Sequence, residues 1–250
     1  MAMRTPAILL LAFSAALADD KDDLARAARR LAEAGSYTFK VEIRSDAPFP
    51  IPGLEGRHGK DAGTHVKAGD RVELFHAGGK LFVRQGEGDW APADGHSPAG
   101  GRRRRGGGML LHGMAAPHEE LKGLESALRE IKKGEPEKVG EKTCIVLSGE
   151  LTKEGIAASP LGRSMSQFGP PGGAAGFELS GTARAWIDAD GNLLRYEMRT
   201  RVAGEFGGNA FEFSLLRTTD FSEVGRTRVE VPEGVRKLLE ERALKPEDQR

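Results

Sequence analysis

The sequence has little of several features by which protein classes are recognised. It contains one cysteine, Cys144, in 250 residues, so an internal disulfide is excluded and a hydrophobic core must stabilise the fold. Lysine and arginine together number 37, as do aspartate and glutamate. A chain without net charge has no global field that would attract nucleic acid or an anionic membrane. Aromatic residues make up only 6% of the chain.

Catalytic and metal-binding motifs are also missing from the sequence. The six histidines lie at spacings that no metal motif uses, and neither a Walker loop nor a dinucleotide fingerprint occurs. The run from Asp188 to Asn192 resembles the start of a calcium loop. However, the twelfth position, where an EF-hand needs a glutamate, is Arg199. We therefore expect a non-catalytic protein with no metal and no other cofactor.

Long hydrophobic runs are absent after residue 18, so no transmembrane segment is predicted in the mature chain. Residues 7–17 are apolar but too few to span a bilayer, and they follow a positively charged start. Ala16-Leu17-Ala18 has the small-x-small pattern of a signal-peptidase site. We expect residues 1–18 to be a signal peptide cleaved after Ala18, which would leave a periplasmic or secreted protein beginning at Asp19.

What the sequence does contain is alternating strands joined by turn residues. Asp190-Gly191 is a preferred pair for a two-residue hairpin turn, because both residues tolerate positive φ. One register then sorts the apolar side chains to one face of the sheet and the charged ones to the other. The predicted pairs are Ala183–Met198, Arg184–Glu197, Ala185–Tyr196, Trp186–Arg195 and Ile187–Leu194.

A second hairpin is predicted around Gly78-Gly79, with Phe75 opposite Phe82. The longest predicted helix spans residues 117–133, where Leu121, Leu124, Leu128 and Ile131 would form one apolar stripe. Shorter helices are predicted at residues 20–34, within 152–167 and at 232–243. Residues 36–45, 137–140, 142–151, 209–219 and 227–231 are predicted strands, and 57–68 is a weak strand at best.

The predicted order is helix, four strands, helix, two strands, a small helix and four strands. Hairpins dominate, without regular βαβ alternation. This order predicts a mainly β (α+β) protein with a single curved antiparallel sheet and helices gathered on one face. We expect one domain over residues 19–243 and a disordered tail over residues 244–250.

Residues 95–113 contain the run GGRRRRGGG. Four arginines without interleaved aromatics lack the stacking surface of single-strand binders, so nucleic acid is not expected as a partner. Glycine on both sides favours a flexible, solvated loop. Contact with an anionic lipid or surface remains the alternative.

The order of elements resembles that of the LolA/LolB superfamily of bacterial envelope proteins. This superfamily includes periplasmic lipoprotein carriers, the LppX/LprG lipid-binding lipoproteins and the sensor domain of RseB. Four stretches carry the resemblance: SYTFKVEI after the first helix, GGKLFVRQGEGDW, GTARAWIDADGNLLRYEM and the closing TTDFSEVGRTRVEVPEGV. The resemblance implies a half-open β-barrel whose concave side holds acyl chains under helices. The absence of an anchoring cysteine fits a soluble carrier better than a lipoprotein.

An apolar cavity of this kind would be lined by large side chains on alternating strands and on the helix at 117–133. The same side chains could instead fill a core, and the sequence leaves both roles open. The candidate ligand-binding residues are Phe39, Phe75, Phe82, Leu121, Leu124, Leu128, Tyr196, Phe211 and Phe213.

Two classes of function remain. The first is a binder or carrier of lipid or lipoprotein acyl chains. The second is an envelope interaction or stress-sensing module that holds a protein partner and transports no lipid.

Overall fold

The computed structural model describes residues 7–46, 51–93, 116–122, 124–159, 162, 177–206 and 209–243. The arginine-rich segment at 95–113 and the tail at 244–250 lie outside the described residues. No helix in the described ranges is both long and apolar enough to span a bilayer. The helices whose full extent lies in these ranges are α1 (Ala7–Glu33), α2 (Pro117–Leu121), α3 (Leu124–Ala127), α4 (Lys153–Ala158) and α5 (Glu233–Ala243).

Across the described residues the strands form a single sheet of twelve, so the prediction of a mainly β protein is confirmed. Their order across the sheet is β6-β5-β4-β3-β2-β1-β12-β11-β10-β9-β7, with β8 paired to β9. The strands are β1 (Ser36–Ser45), β2 (Leu54–Gly59), β3 (Gly63–Ala68), β4 (Val72–Ala77), β5 (Lys80–Gln85), β6 (Ala91–Pro92), β7 (Leu128–Lys133), β8 (Glu137–Val139), β9 (Lys142–Leu151), β10 (Phe177–Asp188), β11 (Leu193–Phe206) and β12 (Asn209–Ser222).

The chain divides into two compact units built from interleaved segments. Unit 1 consists of residues 1–33, 43–51 and 105–220, and unit 2 of residues 34–42, 52–104 and 221–250. In unit 1, α1 lies against α2, α3, β7, β10 and β11. Its buried side chains recur at helical spacing, as the sequence predicts. They are Leu24, Ala27, Ala28 and Leu31.

The β10–β11 hairpin confirms four of the five predicted pairs. The fifth is wrong, because Ile187 pairs with Leu193 rather than Leu194. Gly191 has a φ of 80° and Asp190 does not have positive φ, so the connection is a longer turn with a bulge instead of a two-residue type I′ turn. The Asp188 side chain favours this turn by accepting hydrogen bonds from the backbone N–H groups of Asp190 and Asn192.

The predicted helix at 117–133 is wrong in its second half. Only α2 and α3 are helical, and residues from Leu128 onward form β7, which pairs with β9. A bulge between Arg129 and Lys132 sets two residues of β7 opposite Gly149, and Glu130 has a φ of 45°. Because the bulge inserts one residue, Leu128 and Ile131 are both buried although they are three positions apart. A bulged strand thus reproduces the apolar spacing of a helix.

Unit 2 contains the meander from β1 to β6 and the C-terminal segment. Its Gly78-Gly79 hairpin is confirmed: Phe75 pairs with Phe82, and the two glycines have φ values of 56° and 71°. Residues 57–68, predicted as a weak strand at best, form most of the β2–β3 hairpin. Its polar strands are stabilised by neighbours on both sides, and the Phe39 ring of β1 lies over Gly56.

The strand predicted at residues 227–231 is also wrong, since these residues lie outside any strand. The chain turns after β12, where Glu223 and Gly225 have positive φ. Val229 and Val231 then pack against the buried cluster of Phe75, Phe82, Trp90 and Val235. Side-chain packing on this cluster, rather than pairing in the sheet, accounts for the alternating valines.

Candidate functional site

Three of the nine candidate residues, Phe39, Phe75 and Phe82, lie in unit 2. The side chains of Phe75 and Phe82 are fully buried in the cluster with Trp90 and Val235. The rings of Phe75 and Trp90 meet edge to face at 6.4 Å. Phe39 is 2% exposed, and its ring lies 6.0 Å from that of Tyr37. All three residues therefore contribute to the packed interior of unit 2.

The other six candidates lie in unit 1. Leu121 is in α2, Leu124 in α3 and Leu128 in β7, and all three are buried. Tyr196, Phe211 and Phe213 come from β11 and β12 and, by the register of the sheet, share one face.

This face of β10, β11 and β12 is called the inner face of unit 1. It carries mostly apolar side chains from alternating positions of the three strands. Its members are Leu179, Ala183, Ala185, Ile187, Tyr196, Met198, Thr200, Val202, Phe211, Phe213, Leu215, Arg217 and Thr219.

Phe211 and Phe213 form a stacked pair at one end of this face. Their ring centroids are 6.2 Å apart with an interplanar angle of 21°. Both side chains are only half-buried, whereas Leu215 and Val202 next to them are buried. The inner face therefore leads from a closed apolar interior to a partly open aromatic surface.

Two polar groups meet Tyr196 on the same face. Glu120 of α2 accepts a hydrogen bond from the Tyr196 hydroxyl at 2.6 Å, and Arg217 of β12 donates to the same carboxylate from both terminal nitrogens. Arg217 Nη1 also donates to the Tyr196 hydroxyl at 2.8 Å. The side chains of Arg217 and Glu120 are only 10% and 3% exposed. The cluster is thus a buried ion pair within an apolar surface.

The pKa values within this cluster follow from its burial. Burial is the largest cause that raises the pKa of Tyr196, and the neighbouring Glu120 carboxylate raises it further. Burial alone would lower the pKa of Arg217, but the carboxylate of Glu120 and the hydroxyl of Tyr196 outweigh it, so that pKa is raised. The phenol therefore stays protonated and the guanidinium stays charged, and both groups act as donors.

Glu120 and Arg217 are not among the nine candidates predicted from the sequence, although one signal for them is present there. In β12, alternation places Arg217 in line with Phe211, Phe213 and Leu215, so a cation interrupts an apolar row. Charged residues are rarely buried unless they are paired. An arginine at an inward position of an apolar strand therefore predicts a buried acidic partner. The sequence does not identify Glu120 as that partner, because an acidic residue in the first turn of a helix is already explained by the helix dipole.

The opposite face of unit 1 carries a different group. Trp186 packs with Cys144 and Val146 and donates a hydrogen bond to Glu137 at 2.9 Å. The Arg184 guanidinium lies 4.6 Å from the centre of the Trp186 ring. A groove of about 580 Å³ near Arg184 has a mixed lining that includes five charged side chains, which does not suit an acyl chain. It is lined by Arg129, Glu130, Lys132, Ser148, Gly149, Glu150, Thr182, Ala183 and Arg184.

No protein-family model and no curated protein sequence matches the chain. Its fold, however, is similar to that of two solved mycobacterial structures. Lipoprotein LppX of Mycobacterium tuberculosis aligns over 86% of this chain and 98% of its own with a TM-score of 0.53 and 13% identity. LprF of Mycobacterium bovis aligns over 86% and 97% with the same TM-score of 0.53 and 11% identity.

A third structure, MucB in complex with MucA(peri), covers 86% of this chain at 13% identity, but its TM-score of 0.25 is too low to support an argument. The likeness to LppX and LprF shows a common fold at low sequence identity. The protein therefore has the LolA-like fold that its sequence resembles.

Proposed function

We propose that the protein is a non-catalytic binder and carrier of the acyl chains of lipids or lipoproteins, exported to the periplasm or beyond the cell. The observation that carries this proposal is the stacked, half-buried pair Phe211 and Phe213, which continues into the buried Leu215 and Val202 on the inner face. Partly open apolar surface of this kind is typical of ligand-binding sites. The LolA-like fold supports the same function.

The energetics of acyl binding suit such a surface. Each methylene group removed from water contributes roughly 0.8 kcal/mol. A long acyl chain therefore offers several kcal/mol beyond the cost of association, which permits micromolar binding. That affinity allows a carrier both to hold and to release its ligand.

The nine candidate residues differ in how accessible their side chains are to a ligand. Phe211 and Phe213 are the first contacts, because their rings are partly accessible in the absence of ligand, and Tyr196 lies further along the same face. Phe75 and Phe82 are fully buried in unit 2, so they would have to move before they could touch a ligand. Phe39, Leu121, Leu124 and Leu128 are similarly buried, and their contact with ligand remains a prediction.

Native mass spectrometry of gently purified protein tests the proposal. We expect bound phospholipid or fatty acid in the wild-type protein, and its loss in Phe211→Asp. The loss of ring burial and the added charge should lower affinity by about 10- to 100-fold. Leu216→Asp is the matched control, because Leu216 lies on the same strand but on the opposite face of the sheet.

The two variants separate binding from folding. Equal loss of ligand in Phe211→Asp and Leu216→Asp would indicate general destabilisation and contradict the assigned surface. If wild-type protein carries no lipid and takes up none from vesicles, the carrier function is wrong. An envelope module that holds a protein partner on the same aromatic surface then becomes the better assignment.

A further inference from the structure

The inner face of unit 1 buries the charge of Arg217 within a mostly apolar surface. Arg217 occupies an inward position of β12 between Leu215 and Thr219, and its side chain is 10% exposed. Replacing a buried ion pair with apolar side chains of similar volume is often neutral or stabilising, because desolvation offsets much of the attraction. A guanidinium at this position therefore points to a role beyond stability.

The donors at this position converge on one carboxylate. Both terminal nitrogens of Arg217 and the hydroxyl of Tyr196 donate to the two oxygens of Glu120. A guanidinium that donates through two nitrogens is matched to the planar geometry of a carboxylate. Arg217 and Tyr196 project from long neighbouring strands, so the donor pair is held rigidly in place.

The carboxylate itself comes from a much weaker element. Glu120 lies in α2, a helix of five residues whose N-cap, Ala116, makes no side-chain capping bond. A helix this short has little stability of its own. The acceptor is therefore far easier to displace than its two donors.

We propose that Arg217 and Tyr196 form the head-group subsite for the carboxylate of a long-chain fatty acid, and that Glu120 occupies this subsite in the ligand-free protein. Exchange of one carboxylate for another leaves the buried charges balanced, whereas a neutral head group that displaced Glu120 would leave Arg217 unpaired. The inference rests on the proposed acyl-binding function and names its ligand class.

An apolar row that could hold the tail of such a ligand continues on the same face. Leu215, Phe213 and Phe211 follow Arg217 at alternate positions of β12. The six residue steps from Arg217 to Phe211 span about 20 Å in an extended strand, which is of the order of a long acyl chain. The fatty acid would thus place its carboxylate at Arg217 and its methyl end near the partly open Phe211–Phe213 pair.

The test compares palmitic acid with methyl palmitate, which has the same chain and no charge. Dissociation constants are measured by displacement of a fluorescent acyl probe from the full mature protein. Wild-type protein should prefer the acid by about 10- to 100-fold, as expected for loss of charge-assisted hydrogen bonds. Arg217→Met should abolish this preference while methyl palmitate binding stays within about twofold.

Two further variants distinguish a binding role from a structural one. Glu120→Gln removes the competing charge, so it should tighten palmitic acid binding by about 10-fold and leave methyl palmitate unchanged. Palmitic acid should also raise the melting temperature of Glu120→Gln more than that of the wild type, because it restores a partner to Arg217. A purely structural cluster would lose stability in this variant without any rescue by the acid.

The control is Arg201→Met, which removes an exposed cation paired with Glu212 on the opposite face of β11. It should leave both dissociation constants unchanged. If Arg217→Met fails to fold, Tyr196→Phe removes one donor alone and should weaken only the acid, by about 10-fold. Equal binding of acid and ester by the wild type overturns the head-group subsite but not the acyl-binding function. Failure to bind either ligand overturns both.

Discussion

Asp188 shows how one side chain fixes the tip of the β10–β11 hairpin. Its carboxylate is only 4% exposed and accepts hydrogen bonds from the Lys142 ammonium at 2.5 Å, from the backbone of Asp190 at 3.0 Å and from the backbone of Asn192 at 2.8 Å. The Asn192 amide adds two longer ones. Among the described residues, no group of three or more His, Cys, Asp or Glu could hold a metal ion. The hydrogen bonds that Asp188 accepts explain why its carboxylate can be buried.

The first prediction concerns the pH dependence of this carboxylate. Burial would raise the pKa of Asp188, but the hydrogen bonds from Lys142 and Asn192 outweigh it, so the folded-state pKa is lowered. Its stabilising effect is then complete above the unfolded pKa of about 4 and is lost as pH falls through the folded pKa. Asp188→Asn should lower the free energy of unfolding at pH 7 by about 1–3 kcal/mol, and less in acid.

Urea unfolding at pH 7 and at pH 3 measures this effect. Asp190→Asn is the control, because the Asp190 side chain is exposed, and it should change stability little at either pH. If Asp188→Asn lowers the free energy of unfolding equally at both pH values, the charge of Asp188 is unimportant for stability.

At the scale of elements, a glycine substitution in β7 tests the structure. A bulged strand and a helix predict changes of opposite sign in the free energy of unfolding. Glu130 has a φ of 45° in the bulge, a conformation that costs about 1 kcal/mol for most residues and little for glycine. Glu130→Gly should therefore be neutral or stabilise the protein by up to about 1 kcal/mol. In a helix the same change would destabilise by about 1 kcal/mol.

The measurement is again the free energy of unfolding, with Arg129→Gly as the matched variant one position earlier. Arg129 does not have a positive φ, so glycine there should destabilise β7 by roughly 0.5–1 kcal/mol. Destabilisation of similar size in both variants would contradict the bulged strand.

Much of the fold could be predicted from the sequence, because its hairpins depend on local signals. The Gly78-Gly79 turn and the alternation around Asp190-Gly191 set the register of two strands that follow each other directly in the sequence. The β7 strand could not be predicted, since its identity depends on pairing with β9, about 20 residues further along the chain. The Glu120–Arg217 pair is harder still, because its partners are 97 positions apart and only the folded sheet brings them together.

At the scale of the whole molecule, the arginine-rich segment gives a further prediction. Deleting residues 100–108 should leave the melting temperature nearly unchanged, because the entropy of a flexible loop depends only weakly on its length. Replacing Arg102–Arg105 by serine removes the charge of the segment at constant length, so it separates the effect of charge from that of length. If the segment contacts anionic lipid, both variants should lose co-sedimentation with anionic vesicles, and neither should lose thermal stability. A large drop in melting temperature on deletion would show that the segment is packed structure.

The interleaving of the two units has a consequence for how the protein is made. Arg30 of α1 hydrogen-bonds to the backbone oxygen of Asp190, 160 residues later, and Thr38 bonds to Glu223, 185 residues later. Neither unit can close until its last segment has left the ribosome. Such distant contacts slow folding, and the strand edges stay open to aggregation meanwhile. A nascent chain that stops before β12 therefore lacks segments of both units, so neither unit is complete before the C-terminal segments emerge.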